Sequence, residues 1–205
     1  MLSQIDTILF PDECVVLDVG NGRYVYPIFK NGSTSLNLSN FKSFYMHSEQ
    51  MRNVEIIDVF IREPIGRYIS GVNTYLTNNG MDFLTSRNFI KQFLFLDRHF
   101  APQFFWLLNL QRYTKAKMRL LSMSEISKIT PLYENTSNDI KLPGVANLGN
   151  DSKIQFYLQL DNVLAYDLLG HTVTFKQIVQ TIKHRYPEVY KEVIQRSIDL
   201  CNVLV

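Results

Sequence analysis

The sequence predicts a single α/β domain with a central, mainly parallel sheet flanked by helices. Three observations carry that expectation. Runs rich in β-branched and aromatic residues alternate along the chain with segments of helical periodicity. Residues 54–61, VEIIDVFI, form a nearly continuous apolar run, as expected of a strand buried on both faces. The chain has 205 residues, 46% hydrophobic and 20% charged, which suits one sizeable core rather than two large domains.

The elements follow in order. Residues 14–19 (CVVLDV) and 23–29 (RYVYPIF) read as strands, with Gly20-Asn21-Gly22 as the turn between them. FKNGSTSL (29–36) follows directly, and residues 33–38 can open a short helix whose first N–H groups are unpaired. Residues 41–46 (FKSFYM) read as a short strand or an irregular segment. After VEIIDVFI, Pro64 suits a first helical turn, Ile65, Ile69, Val72 and Leu76 recur at helical spacing, and Asn78-Asn79-Gly80 ends the helix. Residues 86–96 read as a helix with Ser86 as N-cap, and Asp97-Arg98-His99 begins a loop leading to Ala101-Pro102-Gln103. Residues 117–123 (KMRLLSM) read as a strand, and Ser124 caps a short helix, SEISKI. Residues 134–153 are polar and read as a long surface loop; 154–169 and 174–202 read as helical.

Composition excludes several classes. The net charge of +2 is too small to imply nucleic acid as a partner. Cys14 and Cys201 lie near opposite ends without CxxC spacing, which argues against a disulfide scaffold or a zinc site. The first residues lack a basic n-region, and no apolar stretch approaches 18 residues. The expectation is a soluble, cytoplasmic protein with no membrane partner.

Ligands of open α/β sheets bind at the carboxyl ends of strands, and two motifs sit there. In FKNGSTSL, Gly32 allows close backbone approach, Ser33, Thr34 and Ser35 supply hydroxyls, and Lys30 supplies a mobile charge. Helix-start N–H groups complete an anion cradle. The GxxxxGK[ST] pattern of triphosphate P-loops is absent, because the lysine precedes the glycine. The alternative is a polar turn. The second motif places Arg62 directly after the strongest strand, with Arg67 and Ser70 beyond it. A strand-end arginine and a helical serine can grip a phosphate. Alternatively, both arginines are surface ion-pair partners of Glu63 or Glu55.

Taken together, these segments resemble the sulfotransferases that use 3′-phosphoadenosine 5′-phosphosulfate (PAPS), in their carbohydrate, family 2-like branch. FKNGSTS (29–35) is similar to PKxGSTS, and REPIGRYIS (62–70) to RDPxxRxxS. DRHFAPQ (97–103) is similar to DxHWxPQ, and Glu134-Asn135-Thr136-Ser137 to hxNxS. The ordered set runs from about residue 24 to 137. Beyond it the likeness is confined to aromatic and acidic positions such as Tyr157, Asp161 and Tyr166. Phe29 stands for a proline, Glu63 for an aspartate and Phe100 for a tryptophan. Only about 30 residues separate Lys30 from Arg62, a region that carries acceptor-binding structure in larger relatives.

The resemblance implies the P-loop-like nucleotide-binding fold of sulfotransferases. Lys30, Asn31, Gly32, Ser33, Thr34 and Ser35 would hold the 5′-phosphosulfate, Arg62 and Ser70 the 3′-phosphate. Lys30 would also stabilise the departing bridging oxygen. Adenosine 3′,5′-bisphosphate (PAP) would be the product, and no metal is needed. The base would be His99 or His47, the latter beside Glu49; His171 and His184 read as helix-end or surface residues. Asp97, Gln103, Asn135 and Ser137 are further candidate contacts, although Asp97 can equally cap a helix that Pro102-Gln103 begins. The expected activity is sulfuryl transfer to a hydroxyl, or an amine, of a saccharide or small-molecule acceptor. The alternatives are a non-catalytic module binding a nucleotide or sulfated glycan, and a variant P-loop kinase. The kinase would need a magnesium-binding Ser/Thr after a lysine and a strand-end carboxylate, and neither is evident.

Overall fold

A hairpin opens the sheet. Strand β1 (Val15–Gly20) turns through Asn21 and Gly22, both at positive φ, into the antiparallel strand β2 (Arg23–Val25). The computed structural model describes residues 14–28, 30–92, 97–130, 142–195 and 197. Helix α1 (Ser33–Leu38) follows β2, and the chain returns as edge strand β3 (Lys42–Tyr45). Strand β4 (Ile56–Ile61) leads into helix α2 (Pro64–Asn78), helix α3 (Phe83–Gln92) and helix α4 (Gln103–Tyr113). Strand β5 (Lys117–Ser122), helix α5 (Ser152–Asn162), strand β6 (Thr172–Val173), helix α6 (Phe175–Arg185) and the short helix α7 (Pro187–Val189) complete the order. Wide π turns extend α5 over Val163–Asp167 and α7 over Tyr190–Ile194.

The six strands lie in the order β3-β1-β2-β4-β5-β6. β2, β4 and β5 are mutually parallel. β1 opposes β2, β3 opposes β1, and β6 opposes β5, so four of the six strands share one direction. The sheet is therefore parallel at its centre and mixed at its margins.

The apolar run of β4 is buried on both faces from Ile57 to Ile61, as its composition requires. On one face Val16, Ile57, Val59, Ile61 and Leu120 pack beneath the main helical layer, including Val72 and Leu76 of α2. On the other, Leu17, Val25, Phe60 and Leu121 meet Leu36 of α1 and Ile126. Burying each such side chain contributes about 1.5–3 kcal/mol. One carboxylate interrupts the run. Asp58 is 1% exposed, and its oxygens accept from Arg23 Nη2 at 2.6 Å and Arg119 Nε at 2.7 Å. The flanking strands bring both arginines to it.

Several sequence expectations change. Ser86 is not the cap of α3; it is buried within the helix, while the Asp82 carboxylate accepts from the Thr85 N–H at 3.0 Å. A carboxylate before the first turn outcompetes a serine one turn later because it meets the unpaired N–H groups directly. Ser124 does not cap the SEISKI turn either. Ser122 does, in a capping box with Glu125. Within 134–153 the chain forms a 3-10 turn, Val145–Asn150, with Val145 and Leu148 buried, and then enters α5 under the Asp151 cap. Residues 131–141, with Asn135 and Ser137, lie outside the described residues, as does Cys201. The helical reading of 174–202 breaks at Tyr186-Pro187, because proline cannot continue the α6 hydrogen-bond ladder. Among the described residues no helix is long and apolar enough to cross a membrane.

Candidate functional site

The ends of β2 and β4 bring three distant segments together. Lys30 lies beyond β2 with φ of 67°, a conformation uncommon for a residue other than glycine, asparagine or aspartate. Its carbonyl accepts from Arg62 Nη1 at 3.1 Å, and its ammonium donates to Thr74 Oγ1 at 2.7 Å. Thr74 lies one turn beyond Ser70 on α2 and donates to the Ser70 carbonyl at 3.0 Å. The two motifs singled out in the sequence thus meet through Lys30, Arg62 and the Ser70–Thr74 turn. Gly32, at φ 74°, forms the entry to α1, a conformation that favours glycine. Ser33, Ser35 and Ser70 are buried.

Asn31 is 1% exposed and faces inward. Its Nδ2 donates to the Phe60 carbonyl at 2.6 Å and to Gln103 Oε1 at 2.5 Å. Its Oδ1 is buried with no hydrogen-bond partner among the described residues. Leaving such an acceptor unpaired costs about 1–3 kcal/mol.

Gln103 joins the segments. Besides accepting from Asn31, its Oε1 accepts from the Arg62 N–H at 3.0 Å. Its Nε2 donates to the Arg62 carbonyl at 3.0 Å and to Asp161 Oδ2 at 3.3 Å. Asp161 in turn accepts from the N–H groups of Gln103 at 2.8 Å and Phe104 at 3.0 Å. It caps α4 from a different helix, in place of Pro102, which supplies no side-chain cap. Burial raises the Asp161 pKa, opposed by the charge of Arg67 and by the bonds from Gln103 and Phe104.

Arg67 departs from the surface ion-pair alternative. It is 1% exposed and donates from Nη1 to the Ala101 carbonyl at 2.5 Å. Burial lowers its pKa to about 10, opposed by the charge of Asp161 and reinforced by that of Arg62. Helical spacing turns Arg67 toward the core, while Arg62, before the helix, stays at the strand end. Glu63 caps α2 itself, accepting from the N–H groups of Ile65 at 2.9 Å and Gly66 at 2.6 Å. That carboxylate occupies the helix N-terminus.

The Asp97–Gln103 segment packs on the same helix. A Cβ added to Gly71 would lie 2.2 Å from the His99 carbonyl oxygen, so only glycine allows this approach. The Phe100 ring meets Tyr75 edge-on at 5.6 Å. Residues 71 and 75 form one stripe of α2; residues 70 and 74, which meet Lys30, form the adjacent stripe. His99 bonds Asp97 through Nδ1, and its backbone N–H donates to the same Asp97 oxygen at 2.7 Å. Burial favours the neutral acid at Asp97, but the bonds from His99 and its charge outweigh this, so the carboxyl sits below its ordinary range.

His47 lies at the same end of the sheet as Lys30, two strands away. It follows edge strand β3, is exposed, and stacks on Tyr45 with ring centroids 5.5 Å apart. Two strand spacings, about 10 Å, separate β3 from β2. Glu49 lies beside it in an exposed 3-10 turn. His184 is exposed in the last turn of α6, and His171 lines a cavity of about 340 Å³ with Asp167 and Gln177 at the opposite sheet edge. Among the described residues no group of three His, Cys, Asp or Glu could hold a metal.

Two contributors escaped the sequence reading in their present roles. Thr74 was legible in principle, four residues after Ser70 on one helix face. Asp161 continues the buried stripe of Ile154, Tyr157 and Leu158; an acid at a core position is itself a signal of a buried partner.

Comparison with protein-family models, curated proteins and solved structures returns no match to this chain.

Proposed function

We propose that this chain is a PAPS-dependent sulfotransferase acting on a hydroxyl of a saccharide or other small acceptor. One observation carries the reading: the Lys30, Arg62–Ser70 and Asp97–Gln103 segments, separated in sequence, converge at the ends of two adjacent parallel strands. The first two segments resemble nucleotide-handling motifs of that family, and the third resembles its DxHWxPQ segment. Lys30 and Arg62 each bring a cationic side chain to this cluster, and the Arg62 guanidinium donates to the Lys30 carbonyl.

The chemistry follows from the family resemblance of these segments. The 5′-phosphosulfate would lie against the N–H groups of Gly32 to Ser35, and the 3′-phosphate against Arg62 and the Ser70 hydroxyl. The acceptor oxygen attacks sulfur as the bond from sulfur to the bridging oxygen breaks. Negative charge grows on that oxygen, where the Lys30 ammonium stabilises it. The acceptor's proton goes to a base within hydrogen-bond reach. By the resemblance His99 is the candidate for that role, with its Nδ1 paired to Asp97. Adenosine 3′,5′-bisphosphate leaves, and transfer relies on positioning and charge rather than a covalent intermediate.

The test is turnover of sulfur-labelled PAPS across a panel of saccharide and small hydroxylated acceptors. The reading expects label on an acceptor with wild-type protein and about 10²–10³-fold slower labelling with Lys30→Ala. Binding of the bisphosphate without turnover on any acceptor would favour a binding module. Magnesium-dependent preference for ATP would favour a kinase.

A further inference from the structure

We propose that Gln103, held by Asp161, is a positioning residue that sets the distance and orientation between the two anion-binding ends. This rests on the sulfotransferase reading of the same site. All four hydrogen-bonding positions of the Gln103 carboxamide are used. Two of them engage the N–H and the C=O of Arg62, as a neighbouring strand would. β4 ends at Ile61, so the carboxamide continues the ladder for one residue past the end of the sheet. A third position takes Asn31, which precedes Gly32 in the cradle. The fourth takes Asp161, whose two oxygens also hold the backbone from which Gln103 projects.

The consequence is mechanical. Arg62 and Asn31 belong to opposite ends of the clamp, and one planar group holds both. Its own orientation is fixed from behind by a carboxylate on α5, itself buried beside Arg67. Gln103 is fully buried, so its contacts are internal and it acts through Arg62 and Asn31. Sites that must hold a ligand within about 0.5 Å rely on such supporting bonds.

The experiment uses the full chain and two variants. Gln103→Met keeps length and bulk but loses all four bonds; Gln103→Asn keeps the carboxamide but is one methylene too short to hold Arg62 and Asn31 together. Two readouts are taken. The first is hydrogen exchange of the Arg62 amide, measured by NMR without nucleotide. The second is the ratio of affinities for adenosine 3′,5′-bisphosphate and adenosine 5′-phosphate. The proposal expects at least about tenfold faster Arg62 exchange, and a fall of about tenfold in that ratio, in whichever variant keeps a cooperative thermal transition. Unchanged Arg62 exchange overturns it. So does faster exchange with an unchanged ratio, because Gln103 would then be structural only. If the wild-type protein shows no preference for the bisphosphate, the sulfotransferase reading fails; Arg62 exchange then decides alone whether Gln103 positions that strand end.

Discussion

Two buried aspartates sit among the central strands and helices, and they do different things. Asp58 lies midway along β4 and is closed by Arg23 and Arg119, whose own side chains remain partly exposed. Asp161 lies behind the ends of β2 and β4, with Arg67 fully buried nearby and Gln103 between it and the strand end. The first is a staple across three strands. The second is one end of a chain of bonds that reaches Arg62 and Asn31. A buried charge is weak evidence for function by itself; what distinguishes Asp161 is where its partners lead.

That contrast can be broken by substitution. Asp161→Ala should have the largest effect on stability, about 3–5 kcal/mol by denaturant titration, because it strips the cap of α4 and leaves Arg67 without its compensating charge. A loss under about 1 kcal/mol would erase the distinction. Lys30→Ala should leave stability nearly unchanged but slow sulfuryl transfer by about 10²–10³-fold, the size found when one charge-stabilising group is removed. Wild-type turnover in this variant would remove Lys30 from the chemistry. Asp58→Ala should cost about 1–3 kcal/mol, less than Asp161→Ala, since Arg23 and Arg119 can turn to water. Transfer rate per folded molecule should not change, and a drop would mean that the staple also shapes the site.

The smallest effect is in acid. The Asp97 carboxyl is held below its ordinary value, so its contribution is present above about pH 4, the unfolded value, and is lost as pH falls through the lower folded value. Being partly exposed, it is worth under about 1 kcal/mol. The difference in stability between Asp97→Asn and wild type should therefore shrink below about pH 4. A gap that persists at lower pH would assign it to packing.

Much of the frame was legible locally. Gly20-Asn21-Gly22 declared the hairpin, VEIIDVFI the central strand, and Pro64 the start of α2, because each depends on residues within a few positions. Caps were legible in kind but not in place: Asp82 and Ser122, not Ser86 and Ser124, meet the first N–H groups. β6 went unread because two residues carry no period. Lys30, Arg62, Ser70 and His99 stood out by motif, and the structure places Lys30 and Arg62 in contact. The inward turn of Arg67 and the bonds among Asn31, Gln103 and Asp161 are long-range, so no local pattern could disclose them. The ring-stacked setting of His47 on the sheet edge was equally hidden.

The central claim is that the ends of β2 and β4 form a clamp with one grip for each end of a doubly phosphorylated nucleotide. Calorimetric titration of adenosine 3′,5′-bisphosphate, adenosine 5′-phosphate and magnesium-ATP against wild type and Arg62→Ala tests it most directly. The account expects the bisphosphate to bind most tightly, and Arg62→Ala to weaken it by about 10–100-fold, with adenosine 5′-phosphate little affected, as loss of one charge-assisted contact implies. Equal weakening of both adenosine nucleotides, or tighter binding of magnesium-ATP by the wild type, would contradict it.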